Sequence, residues 1–254
     1  MMRALRIAAT GMSMQQMAMD VTANNISNIS TPGFKCATAR FTDLLYGAER
    51  GASGNVAMGM GTRVSEVGRD FGMGALESSG NARHLAIEGE GFFQVRLPGG
   101  GVGYTRAGLL GVDGEGNLTL AAGLFLEPPL TLPEGAVASS LAVDERGLVT
   151  ATGADGKSVE VGRIVLARFV NPAGLEARGD GVLLPTGASG APVSAVPGEA
   201  GAGLLRPGFV ERSNVDLARE MVEMIAALRA YEMNAKMVQS ADEAMGMANN
   251  IVRG

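Results

Sequence analysis

The sequence predicts an α+β chain: two long helices at its ends, paired in a coiled-coil-like manner, with a central all-β domain inserted between them. Three observations predict it. Apolar residues recur at three-four spacing over both termini. No glycine or proline interrupts residues 209–245, and 34 of the 38 glycines lie between Gly47 and Gly208. Helical periodicity at the ends and turn-rich alternation in the middle require different elements.

The first helix is expected from about Met1 to Ile29. Met2, Leu5, Ala9, Met12, Gln16, Met19, Ala23 and Ile26 form one stripe, of which only Gln16 is polar. Gly11 within it costs about 1 kcal/mol against alanine. Ser30-Thr31-Pro32-Gly33 ends the helix, because proline cannot continue it and disfavours helical geometry at Thr31. Asn24, Asn25 and Asn28 carry amides that can bond backbone groups where the helix stops.

Residues 35–81 read as an extended connector. Gly51 to Gly54 and Met58 to Gly61 are too flexible for a helix, whereas Thr62 to Val67 alternates like a strand. Residues 82–198 read as a β-rich outer domain. Its strand candidates are Phe92–Leu97, Leu118–Leu120, Leu141–Val143, Leu148–Thr150, Ser158–Val161 and Ile164–Val170, with a hairpin signal at Asp144-Glu145-Arg146-Gly147. No βαβ alternation occurs. Proline and glycine crowd Pro185 to Gly208, and residues 199–210 read as the return linker.

The last helix closes the pattern. Ser213 followed three residues on by Asp216 reads as a capping box, with Asn214 as the alternative cap. Behind it run Leu217, Met224, Tyr231, Val238, Met245 and Val252, alternating with Met221, Leu228, Ala235, Asp242 and Asn249. The helix should span roughly 38 residues, about 57 Å. Residues 1–34 and 211–254 thus form a terminal helical domain in which the two stripes can pack together. Glu232 and Lys236 are spaced as a favourable i,i+4 pair. Twelve of the fifteen methionines lie in these two segments, giving adaptable packing. A lone helix pair buries little apolar surface against the entropy of ordering so many residues, so both seams are expected to serve as assembly surfaces.

Composition excludes several classes. The net charge of −5 comes without a basic block, which argues against a nucleic-acid face. One cysteine, Cys36, and one histidine, His84, exclude an internal disulfide and a Cys/His zinc cluster. No apolar run is long enough to span a membrane. The N-terminus lacks the apolar core of a cleaved signal peptide. The run Ala151 to Ser158 nearly matches a phosphate-binding loop, but its first glycine is missing and β-like sequence follows, so a hairpin turn is expected. His84 lacks a nucleophile or orienting acid nearby in sequence and reads as locally bonded. Cys36, beside Lys35, reads as a small, partly buried residue. No catalytic, cofactor or metal site is expected.

Longer motifs carry more. The run Thr22-Ala23-Asn24-Asn25-Ile26-Ser27-Asn28 through Thr31-Pro32-Gly33-Phe34-Lys35 resembles the N-terminal signature of the flagellar basal-body rod and hook protein family. Ser213-Asn214-Val215-Asp216, Met221 to Ile225 and Arg229 to Lys236 resemble its C-terminal signature. Ala86 to Phe93 and Tyr104-Thr105-Arg106 are similar to its core β motif. Asp43-Leu44-Leu45-Tyr46 and Gly59 to Val64 are most like the distal-rod branch.

The resemblance implies a non-enzymatic subunit of a helical homopolymer, with terminal helices lining an export channel and the β domain outside. It implies as partners further copies of itself, proximal rod proteins, the hook protein, the peptidoglycan and outer-membrane bushing rings, and the flagellar export apparatus. It implies a rod spanning the periplasm, exported without a cleaved signal peptide. Proximal rod and hook subunits are the nearer alternatives. A secreted β-rich ligand-binding module is the more distant one; it would need a concave site with converging polar groups.

Overall fold

The computed structural model describes residues 2–44, 47–51, 54–120, 123–133, 135–136, 140–153 and 156–253, with side chains outside residues 2–3, 47–58 and 248–253. The chain divides into two compact units. One comprises Met1–Ser27, Cys36–Asp70 and Val215–Gly254; the other comprises Asn28–Lys35 and Phe71–Asn214.

In the first unit, α1 (Met2–Ser27) packs along α2 (Leu217–Arg253). At 37 residues α2 is about 55 Å long. Both helices form where the periodicity places them, but α2 starts later than the sequence suggests. Asp216 is its N-cap: its Oδ1 accepts the N–H groups of Ala218 at 2.9 Å and Arg219 at 3.3 Å, and its carbonyl accepts that of Glu220. Ser213 lies outside the helix, so the expected capping box gives way to a single aspartate cap.

Between the helices in sequence, β1 (Ala37–Asp43) and β2 (Gly47–Gly51) run out, and β3 (Gly54–Met58) and β4 (Thr62–Arg69) run back. β1 pairs with β4 and β2 with β3, both antiparallel, and the Leu44 N–H donates to Gly61 O between the two pairs. The connector is therefore a two-stranded ribbon, with a bulge at Arg40/Phe41 that adds local twist.

The second unit is antiparallel β. Its strands are β5 (Leu76–Ser78), β6 (Leu85–Glu88), β7 (Phe92–Arg96), β8 (Val102–Thr105), β9 (Gly111–Val112), β10 (Leu118–Leu120), β11 (Leu124–Leu126), β12 (Ala142–Val143), β13 (Leu148–Thr152), β14 (Ser158–Arg163), β15 (Leu166–Arg168), β16 (Glu176–Gly179), β17 (Val182–Leu184), β18 (Val193–Ala195), β19 (Leu204–Pro207) and β20 (Phe209–Glu211). The main sheet runs β16-β17-β8-β7-β11-β10-β9, with β15 joining β7 to β18.

β7 is the centre, and both its faces are buried. Phe93 and Val95 enter the main core with Leu85, Ile87, Leu126 and Leu166. Phe92 points the opposite way, as the two-residue strand period requires, into an aromatic cluster with Tyr104 and Phe169. The Tyr104 and Phe169 rings meet edge to face at 4.7 Å, the arrangement their quadrupoles favour. Buried Gln94 donates to Ser194 Oγ at 3.2 Å.

The hairpin expected at Asp144–Gly147 joins β12 to β13. Asp144 Oδ1 accepts the N–H groups of Arg146 and Leu148, and Gly147 supplies the left-handed φ of +79°. The stretch resembling a phosphate loop runs from β13 to β14; of its described residues, Thr152 pairs with Ser158 and the Gly153 N–H donates to Lys157 O. Pro185 to Gly208, read from composition as linker-like, contains β18 and β19. Their alternate apolar residues Ala195 and Leu205 enter the core.

Candidate assembly surfaces and the nodes behind them

The α1–α2 pairing uses a face displaced by one residue from part of the apolar stripe. On α1, Leu5, Met12, Met19 and Ile26 are half-buried, while Ala9, Gln16 and Ala23 are exposed and their neighbours Ala8 and Thr22 are buried. On α2, Met224, Tyr231, Val238 and Met245 are half-buried. Leu217, Met221 and Leu228 are exposed; Glu220 and Ala227 are buried in place of the last two. The fully buried positions of the inner seam are therefore small or polar residues, flanked by half-buried larger ones. A Cβ on Gly11 would lie 2.9 Å from Asn234 Nδ2, so glycine sets how closely the helices approach. Met17, Leu217, Met221, Leu228, Met233, Met237 and Met247 are left facing outward. Ser213, Asn214 and Asn28 are half-buried and Asn24 is exposed.

Behind this seam lies a polar node. Asn25 is buried, and its amide grips the backbone of Ala37 from both sides: Oδ1 accepts the N–H at 2.9 Å and Nδ2 donates to the carbonyl at 2.8 Å. Nδ2 also donates to Glu220 Oε2 at 3.0 Å. Cys36 Sγ lies 3.4 Å from Glu220 Oε1. One side chain of α1 thus holds the start of the ribbon and a buried carboxylate of α2. Cys36 is buried, and its pKa is pushed up to about 12 by burial and then by Glu220. A thiol so shifted is a poor nucleophile. The neighbouring Lys35 does not activate it.

The second unit has its own node. Glu211, Lys35 and Arg106 are all buried. Lys35 Nζ donates to Glu211 Oε1 and to Gly72 O, each at 2.6 Å. The Gly74 N–H donates to the same Glu211 oxygen at 3.0 Å, and Arg106 Nη1 lies 3.3 Å from the other. Arg106 also donates to Gly89 O at 2.9 Å and stacks 5.2 Å over the Phe92 ring. Burial pulls the Arg106 pKa down, and Glu211 partly restores it. The Glu211 carbonyl takes the Gly33 N–H at 2.8 Å, tying the turn after α1 to β20. Lys35 and Arg106 each belong to a motif legible in the sequence, and Glu211 lies just before the one that begins at Ser213. Their convergence was not legible, because 105 residues separate Arg106 from Glu211.

His84 is half-buried, with Nε2 3.4 Å from Asn81 Nδ2, a local contact. Glu232 pairs with Arg229 at 2.9 Å and not with the expected Lys236. In the distal-rod-like segment, Asp43 pairs with Thr62 at the end of β1, and Leu44 bonds Gly61; Leu45 and Tyr46 lie outside the described residues. Gly61 has φ +105°, and a Cβ there would strike Thr10 Oγ1, so the ribbon crosses α1 where only glycine fits. Phe41, Met60 and Val67 of this segment are exposed.

Three stretches match family models. Residues 5–35 match the flagella basal body rod protein model. Residues 86–151 match the flagellar hook protein FlgE/F/G D1 domain, and residues 206–251 the flagellar basal body rod FlgEFG protein C-terminal model. The flagellar basal-body rod protein FlgG of Borreliella burgdorferi is 40% identical over 265 residues, covering 100% of both chains. That of Caulobacter vibrioides is 39% identical over 95% of this chain and 96% of its own. That of Agrobacterium fabrum is 40% identical over the same shares.

Proposed function

The chain belongs to the flagellar basal-body rod protein family and is a structural rod subunit, and on that premise we propose that it builds the distal rod. In this reading it polymerises into a hollow helical drive shaft that carries torque from motor to hook and encloses the export channel. The terminal segments 1–34 and 211–254 form the assembly domain, with a coiled-coil-like pairing of α1 and α2. The β-rich region 82–198 faces outward toward the bushing rings. Contacts that repeat head to tail without closing generate such a tube.

One observation carries the proposal. Leu217, Met221, Ile225 and Leu228 expose their side chains on the longest helix of the chain while smaller residues are buried beside them. A monomer gains nothing from that distribution; a subunit with neighbours buries the exposed set at roughly 1.5–3 kcal/mol per side chain. The ribbon supports the same reading, because a two-stranded ribbon with exposed Phe41 and Val67 is marginal in water without covering contacts. The two polar nodes suit a torque-bearing part. Each holds segments distant in sequence through several short bonds, so shear within a unit must break them together. Further partners are the proximal rod and hook proteins and the export apparatus, through which the subunit passes without a cleaved signal.

Hydrogen exchange on the isolated and the assembled protein tests this. Amides of α1 and α2 should be only partly protected in the isolated chain and become strongly protected on assembly. Full protection of both helices in the monomer would count against it.

A further inference from the structure

The exposed apolar residues of α2 do not form one stripe. In heptad notation the seam facing α1 has Met224, Tyr231, Val238 and Met245 at a, and Glu220, Ala227, Asn234 and Ala241 at d; all are buried or half-buried. Around a helix the positions run a-e-b-f-c-g-d, so e and b flank the seam on one side and c and g on the other. In the first half of α2 the exposed apolar residues Met221, Ile225 and Leu228 are at e and b, with Val222 beside them at f and Leu217 at the first a position. The opposite flank there carries the Arg219–Glu223 ion pair at c and g. In the second half the pattern reverses. Met233, Met237 and Met247 are exposed at c, g and c, while Glu232, Gln239 and Asp242 occupy b, b and e. The Arg229–Glu232 pair marks the crossover.

A single partner helix lying along either flank would bury apolar side chains over one half of α2 and charged ones over the other. Two partners, one on each flank and each at a different level, bury apolar side chains, with the small Ser240 the one polar residue among them. We infer that α2 docks two different neighbouring copies of this chain, one on the e/b flank of its first half and the other on the c/g flank of its second half. This rests on the rod-subunit reading. The occupant is a second copy because lateral faces of like chemistry on opposite sides of one element are what a non-closing repeat needs: one flank meets the preceding copy and the other meets the following copy. An isologous pair would use one patch and leave the other in water. Both patches adjoin the α1–α2 seam, so each neighbour extends packing that the subunit has already begun. Methionine suits the second flank, since its flexible thioether adapts to a neighbour's surface.

Photo-crosslinking in the assembled full chain tests this. Met221 and Met237 are 52% and 58% exposed, so replacing either with p-benzoylphenylalanine leaves the inner seam intact. Each variant and the doubly substituted chain are assembled as a minor fraction within excess unlabelled protein and irradiated. Each single probe should give a crosslinked dimer of this chain, and the double probe a trimer. A double probe that yields only dimers would overturn the two-neighbour inference, since both patches would then meet one copy. Crosslinks to a different protein, or none in an assembly that sediments as polymer, would also overturn it while leaving the rod reading standing. If the unlabelled chain itself fails to polymerise, the rod reading falls and takes this inference with it.

Discussion

Replacing Glu211 with glutamine tests whether the buried node holds the second unit together. The substitution keeps the shape of the side chain and removes its charge. Three donors converge on the carboxylate: Lys35 Nζ at 2.6 Å, the Gly74 N–H at 3.0 Å and Arg106 Nη1 at 3.3 Å. Glutamine can still accept from Lys35 and Gly74 through its one oxygen, but its amide then points a donor at the guanidinium. Lys35 and Arg106, both buried, then lose the carboxylate that they share. Breaking a buried pair in this way costs about 3–5 kcal/mol, a large part of the roughly 5–15 kcal/mol that holds a domain folded. The assay is guanidinium unfolding of the full chain followed by near-ultraviolet circular dichroism, which reports the Tyr104 environment. Glu211→Gln should move the midpoint far down, whereas Glu145→Gln, which breaks an exposed contact with Arg206, should leave it in place. Lys35→Met in the Glu211→Gln background should recover part of the loss, since one of the two buried cations that faced the carboxylate is removed. If Glu211→Gln shifts stability by less than about 1 kcal/mol, the node is not the fastening described here.

Other outcomes follow from the same contacts. Asn25→Ala removes both bonds to Ala37 and one to buried Glu220, so it should cost about 2–4 kcal/mol and release the Ala37 amide to hydrogen exchange. Cys36, with its pKa raised to about 12 from 9.0, should resist thiol reagents at pH 8 until the chain unfolds. Because the folded state keeps this proton longer than the unfolded chain, its contribution is complete below pH 9.0 and is lost as pH rises toward about 12; Cys36→Ser should flatten that decline in an alkaline titration. Gly61→Val forces a β-branched residue to φ +105° against Thr10 and should destabilise the first unit by about 1–3 kcal/mol, read by thermal unfolding. Deleting residues 47–61 should leave the second unit folded but impair the straightness and assembly of the rod. Unaffected rods would remove the role given to that segment.

Much of the fold was legible because it rests on local rules. The two long helices follow from uninterrupted three-four spacing, and the Asp144 hairpin follows from an aspartate and a glycine at fixed offsets. The strands of Pro185–Gly208 were hidden, because their order comes from pairing with β15 and β6, far away in sequence, and short strands among prolines carry little local signal. The inner seam was half legible. Counting apolar letters found Met224 and Tyr231, but it chose Met221 and Leu228 over Glu220 and Ala227, since close helix approach selects small residues and a satisfied carboxylate. The nodes were the least legible. Nothing local marks Glu211 or Glu220 as buried, because their burial depends on Lys35, Arg106 and Asn25, which arrive from other parts of the chain.

If the terminal helices form the wall of a tube, electron cryomicroscopy of basal bodies from the native source will resolve them there. α1 and α2 should lie innermost around the channel, with Met221 and Leu228 of each α2 covered by a neighbouring copy and the β unit outside. Density that lines the channel with the β unit, or leaves the Met221 face of α2 open to solvent within the assembled rod, would contradict it.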